Sequence, residues 1–300
     1  MGGLPSAVFV VPRPIAASPA RQTRVGFRPM LDDLQTPLEL EGQVLGPIDV
    51  SVTADRIAFY VDTTGDDPDR WATEAPPGFA SVLLFAVADL FLYHPKVVPF
   101  TATLLHLDQG FTYVAPMRAG TSIRMEGTIT RVRERGGSFF VTFEAVGTDD
   151  LGPVVESTST FVLSDQRAAP PEVTIDEPSP RQRANDDGLQ RSASRHDLVR
   201  YAAATRDFNP LHWDHITAVE AGLPGTVVHG LLMYAWIVQE AGRATGSDVH
   251  AAKVRFRSAL HPGEQATLSS TVEGSTVKLE LARDGLVLVG GTATVTGTTE

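Results

Sequence analysis

Two stretches, "TADRIAFYVDTTGDDPDRW" (residues 53–71) and "SRHDLVRYAAATRDFNPLHW" (194–213), decide the fold because they resemble two copies of one unit. The spacing is nearly constant at 141 or 142 positions for four pairs: Tyr60 and Tyr201, Thr64 and Thr205, Asp66 and Asp207, Trp71 and Trp213. Two further pairs of blocks follow in the same order: "PPGFASVLLFA" (76–86) with "LPGTVVHGLLMYA" (223–235), and "FTYVAPMRAG" (111–120) with "FRSALHPG" (256–263). Self-similarity in a fixed order indicates a repeated structural unit.

Each half of the chain has the same predicted elements: a short helix, an irregular loop, a long apolar helix and then several strands. Residues 121–163 and 265–297 alternate β-branched or aromatic residues with polar ones, and Gly136-Gly137 and Asp284-Gly285 are typical hairpin turns. The pattern predicts an α+β fold in which each half is one long central α-helix wrapped by an antiparallel β-sheet.

Composition divides the chain into four segments. Residues 1–34 are predicted to be an N-terminal extension, 35–165 an N-terminal domain and 191–300 a C-terminal domain. Residues 166–190 are rich in proline, charge and small polar residues and have little to bury, so they are predicted to be a linker.

The bulk composition excludes several classes of function. The 25 basic and 36 acidic residues of the 300-residue chain give a formal charge of −11, which argues against nucleic acid and anionic membranes as partners. Without cysteine there is no disulfide and no thiolate metal site, so a cytoplasmic location is expected. The longest apolar run, 78–93, is too short to span a membrane and contains Asp89.

The most unusual polar residues follow the second short helix. Ser194 and Asp197 match a capping box, which predicts a helix starting at residue 195. Pro210 disfavours the α conformation at Asn209, so the helix must end before it. Asp207, Asn209 and His212 are therefore predicted to lie on a loop.

A second feature lies downstream of this loop. "DHITAVEA" (214–221) is predicted to be a short helix that stops at Gly222, and Gly230 is predicted to open the apolar helix "LLMYAWIVQEA" (231–241). The first N–H groups of a helix lack intrahelical acceptors, so the N-terminus at Gly230 can receive an oxyanion.

Together, "TRDFNPLHWD" and "GLPGTVVHGLLM" resemble the signature of MaoC-like (R)-specific hydratases and dehydratases, and residues 104–129 resemble the N-terminal domain of two-domain members. The resemblance covers roughly residues 35–300 and implies a double hot-dog fold. It also implies reversible syn hydration of trans-2-enoyl thioesters of coenzyme A or acyl carrier protein to (3R)-hydroxyacyl thioesters. Asp207 and His212 would activate water, the Gly230 N–H would hold the thioester oxygen, and no metal or other cofactor would be needed.

The two halves and the family signature differ at informative positions. The N-terminal half keeps Asp66 but has no counterpart of Asn209 or His212, so it is predicted to be catalytically silent. The resemblance to two-domain members implies that this half makes room for the acyl chain. Family members usually have glycine where this chain has Arg206. That guanidinium either points to solvent, pairs with Asp207 or contacts a substrate phosphate, and the first two are favoured.

The other candidate residues have simpler interpretations. His229 is predicted to bond a loop oxygen near the site, and the remaining histidines show no metal-ligand spacing. In "KVRFR", Lys253, Arg255 and Arg257 alternate with apolar residues, so a strand would place them on one face. They are either a solvated face, which is slightly favoured, or contacts for the phosphates of coenzyme A or phosphopantetheine.

Two alternative functions stay open at this point. The substrate could be a specialised polyketide or a branched or dicarboxylic acyl thioester, and the chain could instead be a non-catalytic acyl-thioester-binding partner subunit. The intact Asp207, Asn209 and His212 argue against the latter. The physiological direction of the reaction is open, as is further association into a homodimer.

Overall fold

The computed structural model describes residues 36–166 and 188–296, so the predicted N-terminal extension and most of the predicted linker lie outside the described residues. The N-terminal half contains two α-helices and five strands. In chain order these are β1 (Val44–Val52), α1 (Ala54–Thr64), α2 (Ala80–Leu92), β2 (Thr103–Tyr113), β3 (Thr121–Arg135), β4 (Ser138–Asp149) and β5 (Gly152–Ser164). Single 3-10 turns precede β1, α2 and β2.

The C-terminal half repeats this order with one additional helix. Its elements are β6 (Leu189–Arg191), α3 (Arg195–Thr205), α4 (His215–Glu220), α5 (Gly230–Thr245), β7 (Val249–Phe256), β8 (Ala266–Glu273), β9 (Thr276–Arg283) and β10 (Leu286–Val295). The predicted hairpin turns at Gly136-Gly137 and Asp284-Gly285 are present, and all four residues have positive φ. Such turns match the twist of the flanking strands.

All ten strands form one antiparallel sheet in the order β1-β3-β4-β5-β2-β7-β10-β9-β8-β6. From the centre of the sheet to each edge, the strands of the two halves follow the same order. Strand β7 corresponds to β2, β10 to β5, β9 to β4, β8 to β3 and β6 to β1. The halves meet where β2 pairs with β7, with Gln109 opposite Val254. The sheet therefore has a pseudo-twofold axis at its centre, as the sequence repeat predicted.

The short helices begin and end where local sequence predicts. Ser194 and Asp197 form the predicted capping box of α3, and Thr53 accepts the Arg56 N–H at the start of α1. Helices α1 and α3 each end at a residue in the left-handed region, which is Gly65 for α1 and Arg206 for α3. A C-terminal left-handed residue satisfies the last carbonyl groups of a helix.

The long helices α2 and α5 form the core of their halves, as the apolar runs predicted. Twelve of the sixteen residues of α5 are buried, so burial of apolar surface on nearly all sides stabilises it. The repeat-equivalent Tyr60 and Tyr201 meet between the halves with ring centroids 6.2 Å apart. Tyr113 and Tyr234, from opposite halves, share a hydrogen bond of 2.8 Å. The two halves thus share one core.

One observation qualifies the predicted bounds of the linker. Strand β6 includes Leu189 and Gln190, which were predicted to belong to the linker, because this segment pairs with β8 through Leu268 and Thr267. Within the described parts of the chain, no helix combines the length and the apolar character needed to cross a lipid bilayer.

Candidate functional site

The loop after α3 is shaped by its own polar groups. The Asn209 side chain accepts the Leu211 N–H at 3.2 Å and so starts the single 3-10 turn Pro210–His212. The Thr205 hydroxyl accepts the Asp207 N–H at 3.2 Å, and Asp207 Oδ1 lies 3.4 Å from the Asn209 N–H. These contacts are the local turn chemistry that the Asp-x-Asn-Pro spacing predicts, and they hold the Asp207 carboxyl in one place.

Asp207 and His212 come together in a buried position. Asp207 Oδ2 lies 3.9 Å from His212 Nε2, and the His212 side chain is 1% exposed. His212 Nδ1 lies 2.8 Å from the Val227 carbonyl oxygen. A carbonyl can only accept, so Nδ1 carries the proton and the neutral ring has its lone pair on Nε2. Burial lowers the pKa of His212 to about 4, so this is not an ion pair at neutral pH.

His229 contacts both Asp207 and His212. Its ring stacks on that of His212 with centroids 3.7 Å apart, and its Nε2 donates to the Asp207 carbonyl oxygen at 3.2 Å. The side chain is fully buried, and burial holds its pKa well below the usual value. This is the bond to a loop oxygen that the sequence predicted for His229.

The pKa of the Asp207 carboxyl is close to neutral pH. Burial, with a smaller contribution from the charge of Asp89, raises its pKa to about 7, against the lowering effect of the Asn209 N–H. A group with a pKa near the working pH can both take up and release a proton efficiently. Asp207 is therefore suited to general acid–base chemistry, and perturbed carboxyls of this kind concentrate at functional sites.

The N-terminus of α5 provides hydrogen-bond donors beside these groups. The helix begins at Gly230, as predicted, and the His229 side chain at the preceding position makes no capping bond. By contrast, Thr53, Ser194 and Asp214 cap α1, α3 and α4. The N–H groups at the start of α5 can thus receive an oxygen that develops negative charge.

One pocket contains these groups, and both halves of the chain line it. From the C-terminal half it is lined by the motif loop and the start of α5, and from the N-terminal half by Phe85, Asp89, Leu92, Tyr93, Leu104, His106 and Phe161. The sequence analysis did not assign Asp89 or His106 to the site. Asp89 could have been identified from the sequence, because a charged residue within an apolar helix is unusual. No feature of the sequence around His106 identified it as a site residue.

The corresponding loop of the N-terminal half has different chemistry. Asp66 accepts hydrogen bonds from the Asp67 N–H and from Trp71 Nε1, at 2.8 and 3.1 Å. The helix residue next to it is Gln239, whose amide donates to the Thr64 carbonyl oxygen at 3.2 Å. Asp66 is therefore bound into its own loop.

The predicted basic residues are not part of this pocket. Lys253 and Arg255 share a face of β7, as predicted, and line a separate cavity of about 470 Å³ together with Asp108, which lies 3.4 Å from Arg255. Arg257 lies just beyond the end of β7. Burial raises the pKa of Asp89 to about 6, and the charge of the exposed Arg206 partly opposes this shift. Among these cations, only Arg206 adjoins the motif loop.

Tertiary structure also creates a cluster that the sequence spacing did not indicate. Asp207, His212 and His229 each present one potential ligand atom, and these atoms lie within 4.8 Å of one another. One carboxylate and two neutral imidazoles are a donor set that suits a divalent transition metal. The same acceptor atoms can equally receive hydrogen bonds from a water molecule.

Comparisons with known proteins match both halves of the chain. Residues 169–290 match the model of the MaoC like domain, and residues 39–158 match the FAS1-like dehydratase domain region. A UPF0336 protein of Clavibacter michiganensis subsp. michiganensis is 30% identical over 118 residues, which are 39% of this chain and 72% of that protein.

Two solved structures support the fold. A MaoC-like dehydratase from Phytophthora capsici has a TM-score of 0.69 at 20% identity. The matched region covers 87% of this chain and 98% of the chain of that dehydratase. A conserved hypothetical protein from Mycobacterium tuberculosis, described as having a double hotdog fold, has a TM-score of 0.55 at 12% identity and covers 85% and 96%. The architecture of two half-sheets joined edge to edge around two long helices is thus shared with double hot-dog proteins.

Proposed function

Because residues 169–290 match the MaoC like domain and the chain has the double hot-dog fold, we propose that it reversibly hydrates trans-2-enoyl thioesters to (3R)-hydroxyacyl thioesters. The observation that carries the proposal is the convergence of the Asp207 carboxyl and His212 Nε2, 3.9 Å apart, beside the uncapped N-terminus of α5. Acid–base groups and oxyanion donors are the requirements of this reaction.

Water addition can be followed atom by atom at this site. A water molecule donates hydrogen bonds to His212 Nε2 and to the Asp207 carboxylate, which orients its oxygen toward Cβ of the enoyl group. As the oxygen bonds to Cβ, Asp207 takes one proton from it, and the C=C electrons move to give an enolate whose oxygen is held by the Gly230 N–H. Asp207 then returns the proton to Cα on the same face, which makes the addition syn.

The two side chains have different parts in this scheme. The pKa of Asp207 near 7 suits it to carry the proton in both directions. The pKa of His212 near 4 makes it a weak base, so it orients the water as a hydrogen-bond acceptor. His229 and Asn209 act as positioning residues, because they bond the backbone around Asp207 and His212.

The direct test follows the loss of conjugated enoyl-thioester absorbance with crotonyl-CoA and longer trans-2-enoyl-CoAs. Asp207→Asn and His212→Ala are expected to lower kcat/KM by about 100-fold to 10,000-fold, the usual contribution of a general acid or base. Asp66→Asn, at the equivalent position in the silent half, is the matched control and is expected to retain activity.

Circular dichroism and thermal unfolding establish that each variant is folded. Thioesters of acyl carrier protein should be assayed in parallel, together with (3R)-hydroxyacyl thioesters for the dehydration direction. Failure of the parent protein to act on any of these substrates, or parent-like rates in the Asp207→Asn protein, would contradict the proposal.

A further inference from the structure

The pocket that contains the motif loop has an exposed side and a buried side. On the exposed side lie Tyr93 and Phe208, which are 49% and 53% exposed. Three other lining residues on β2 and β5, Leu104, His106 and Phe161, are only 3%, 9% and 5% exposed. A thioester can enter only from the exposed side, so its acyl chain has to extend toward the buried residues of the N-terminal half.

The volume of the pocket limits how long this acyl chain can be. It is about 50 Å³, whereas a cavity needs about 10 to 15 Å³ for each water molecule that it holds. A methylene group is similar in size to a water molecule, so the pocket has room for about three to five such groups. Cα, Cβ and the attacking water molecule already take up most of this space. A terminal methyl group can follow Cβ, but an extended alkyl chain cannot.

Packed aromatic rings lie behind the buried side of the pocket. The ring of Phe161 contacts those of His106 and Phe91, with centroids 4.6 and 5.8 Å away. Phe91 in turn stacks on Phe143 with centroids 5.7 Å apart, and both residues are fully buried. Because protein interiors are close-packed, a ring held between other rings cannot move aside without disturbing the core. Small shifts of the wall therefore do not make room for a longer acyl chain.

We propose that the site selects enoyl thioesters with short acyl chains of about four carbon atoms, and that Phe161 closes the pocket to longer chains. This inference rests on the proposed function, because it assumes that the acyl chain extends from Asp207 and His212 into this pocket. Phe161 is a specificity-determining residue and takes no part in proton transfer. The N-terminal half, which the resemblance implied makes room for the acyl chain, thus also limits its length.

The test compares crotonyl-CoA with trans-2-hexenoyl-CoA and trans-2-octenoyl-CoA, which lengthen the acyl chain stepwise. From crotonyl-CoA to octenoyl-CoA, kcat/KM is expected to fall by at least about 10-fold, because one surplus methylene group in a filled pocket typically costs about 10-fold to 200-fold. An open apolar channel would give the opposite trend, since each methylene group that it buried would improve binding by about fourfold. A profile that is flat or rises with chain length overturns the inference.

Variants assign the length limit to Phe161. Phe161→Ala is expected to raise the ratio of kcat/KM for octenoyl-CoA to that for crotonyl-CoA by about 10-fold or more, and Phe161→Leu is expected to raise it less. Phe100→Ala is the matched control, because Phe100 is a similarly buried residue of the same half that packs on Phe139 at 4.8 Å. It should keep the parent ratio. An unchanged ratio in the Phe161 variants overturns the inference, and Phe161→Leu decides if Phe161→Ala does not fold.

A binding measurement separates this inference from the proposed function. Calorimetry with butanoyl-CoA and octanoyl-CoA, which have no double bond to hydrate, measures length selection without turnover. Tighter binding of butanoyl-CoA without turnover of any enoyl thioester would contradict the hydratase proposal and support the inference. Turnover of enoyl thioesters without a preference for short chains would contradict only the inference. Absence of both binding and turnover would contradict both.

Discussion

Asp89, on the central helix of the N-terminal half, and Asp207, on the motif loop of the C-terminal half, line one pocket, and the charge of Asp89 raises the pKa of Asp207. Asp89 is the tenth residue of α2, and Gln239 is the tenth residue of α5. The equivalent helix position thus presents a carboxyl to the motif loop and a neutral amide to the corresponding loop of the N-terminal half. A residue of the N-terminal half therefore shifts the pKa of Asp207 in the C-terminal half.

The Asp89→Asn variant tests this coupling. Without the charge of Asp89, Asp207 ionises more easily, so the limb of the pH profile of kcat/KM that reports Asp207 is expected to move to lower pH. The measurement is the pH dependence of enoyl-thioester hydration. Asp150→Asn, at an exposed turn residue, is the control, and an Asp89→Asn profile that superimposes on the parent profile would refute the coupling.

The Asp207→Asn variant is expected to lose activity and gain stability at alkaline pH. The folded-state pKa of Asp207, about 7, is above the ordinary 3.8, so the stability contributed by this carboxyl is present below pH 4 and lost as the pH rises through 7. Asparagine does not titrate. The free energy of unfolding of the variant relative to the parent should therefore increase by about 2 to 3 kcal/mol between pH 5 and pH 8.

Urea unfolding at the two pH values measures this difference. The exposed Asp150→Asn protein serves again as the reference and should show a change near zero. A relative stability that is the same at pH 5 and pH 8 would mean that the Asp207 carboxyl is not held in an environment that disfavours its charge.

The Arg206→Gly variant addresses the departure from the family signature. Arg206 ends α3 with a φ of 70°, a left-handed conformation in which glycine is unstrained and other residues are not. Glycine is expected to stabilise the protein by about 1 kcal/mol, measured by thermal unfolding. Arg206→Ala keeps the strain and should not stabilise. Equal losses of kcat/KM in both variants would instead indicate that the guanidinium contacts the substrate.

The Gly78→Ala variant tests the packing between the halves. A Cβ at Gly78 would lie 2.6 Å from Tyr60 Oη in the same half and 3.1 Å from Ala235 Cβ on α5 of the other half, so the buried Tyr60 ring would have to shift and α5 would have to give way slightly. Overpacking of this kind is expected to cost about 1 to 3 kcal/mol of unfolding free energy, seen as a lower Tm. At Gly110 the nearest atoms would be 3.9 Å away, so Gly110→Ala is the control and should be tolerated. A parent-like Tm for Gly78→Ala would contradict the tight interface.

Features with local causes were predictable from sequence. The capping box of Ser194 and Asp197, the loop that Pro210 enforces and the start of α5 at Gly230 all depend on residues within a few positions of one another. The repeat also predicted that the two halves share one architecture, because similar patterns of apolar residues and turns favour the same arrangement of helix and strands.

Features made by residues distant in sequence were not predictable in this way. The sequence left open whether the basic residues of β7 form a solvated face, which was slightly favoured, or contact a phosphate. The strand places Lys253 and Arg255 in a cavity shared with Asp108. Likewise, no pattern around His106 distinguishes it from a core histidine, since its significance depends on a pocket assembled from both halves.

The sequence by itself determined that this chain is a duplicated unit, that only its second copy carries Asp207, Asn209 and His212, and that these residues lie on a loop before a helix N-terminus. Only the tertiary structure decided that Asp89 and His106 of the N-terminal copy line the same pocket as the motif loop. The physical reason is that hydrogen bonds along the chain specify loops and caps, whereas a pocket lined by both halves forms only when the two halves pack together.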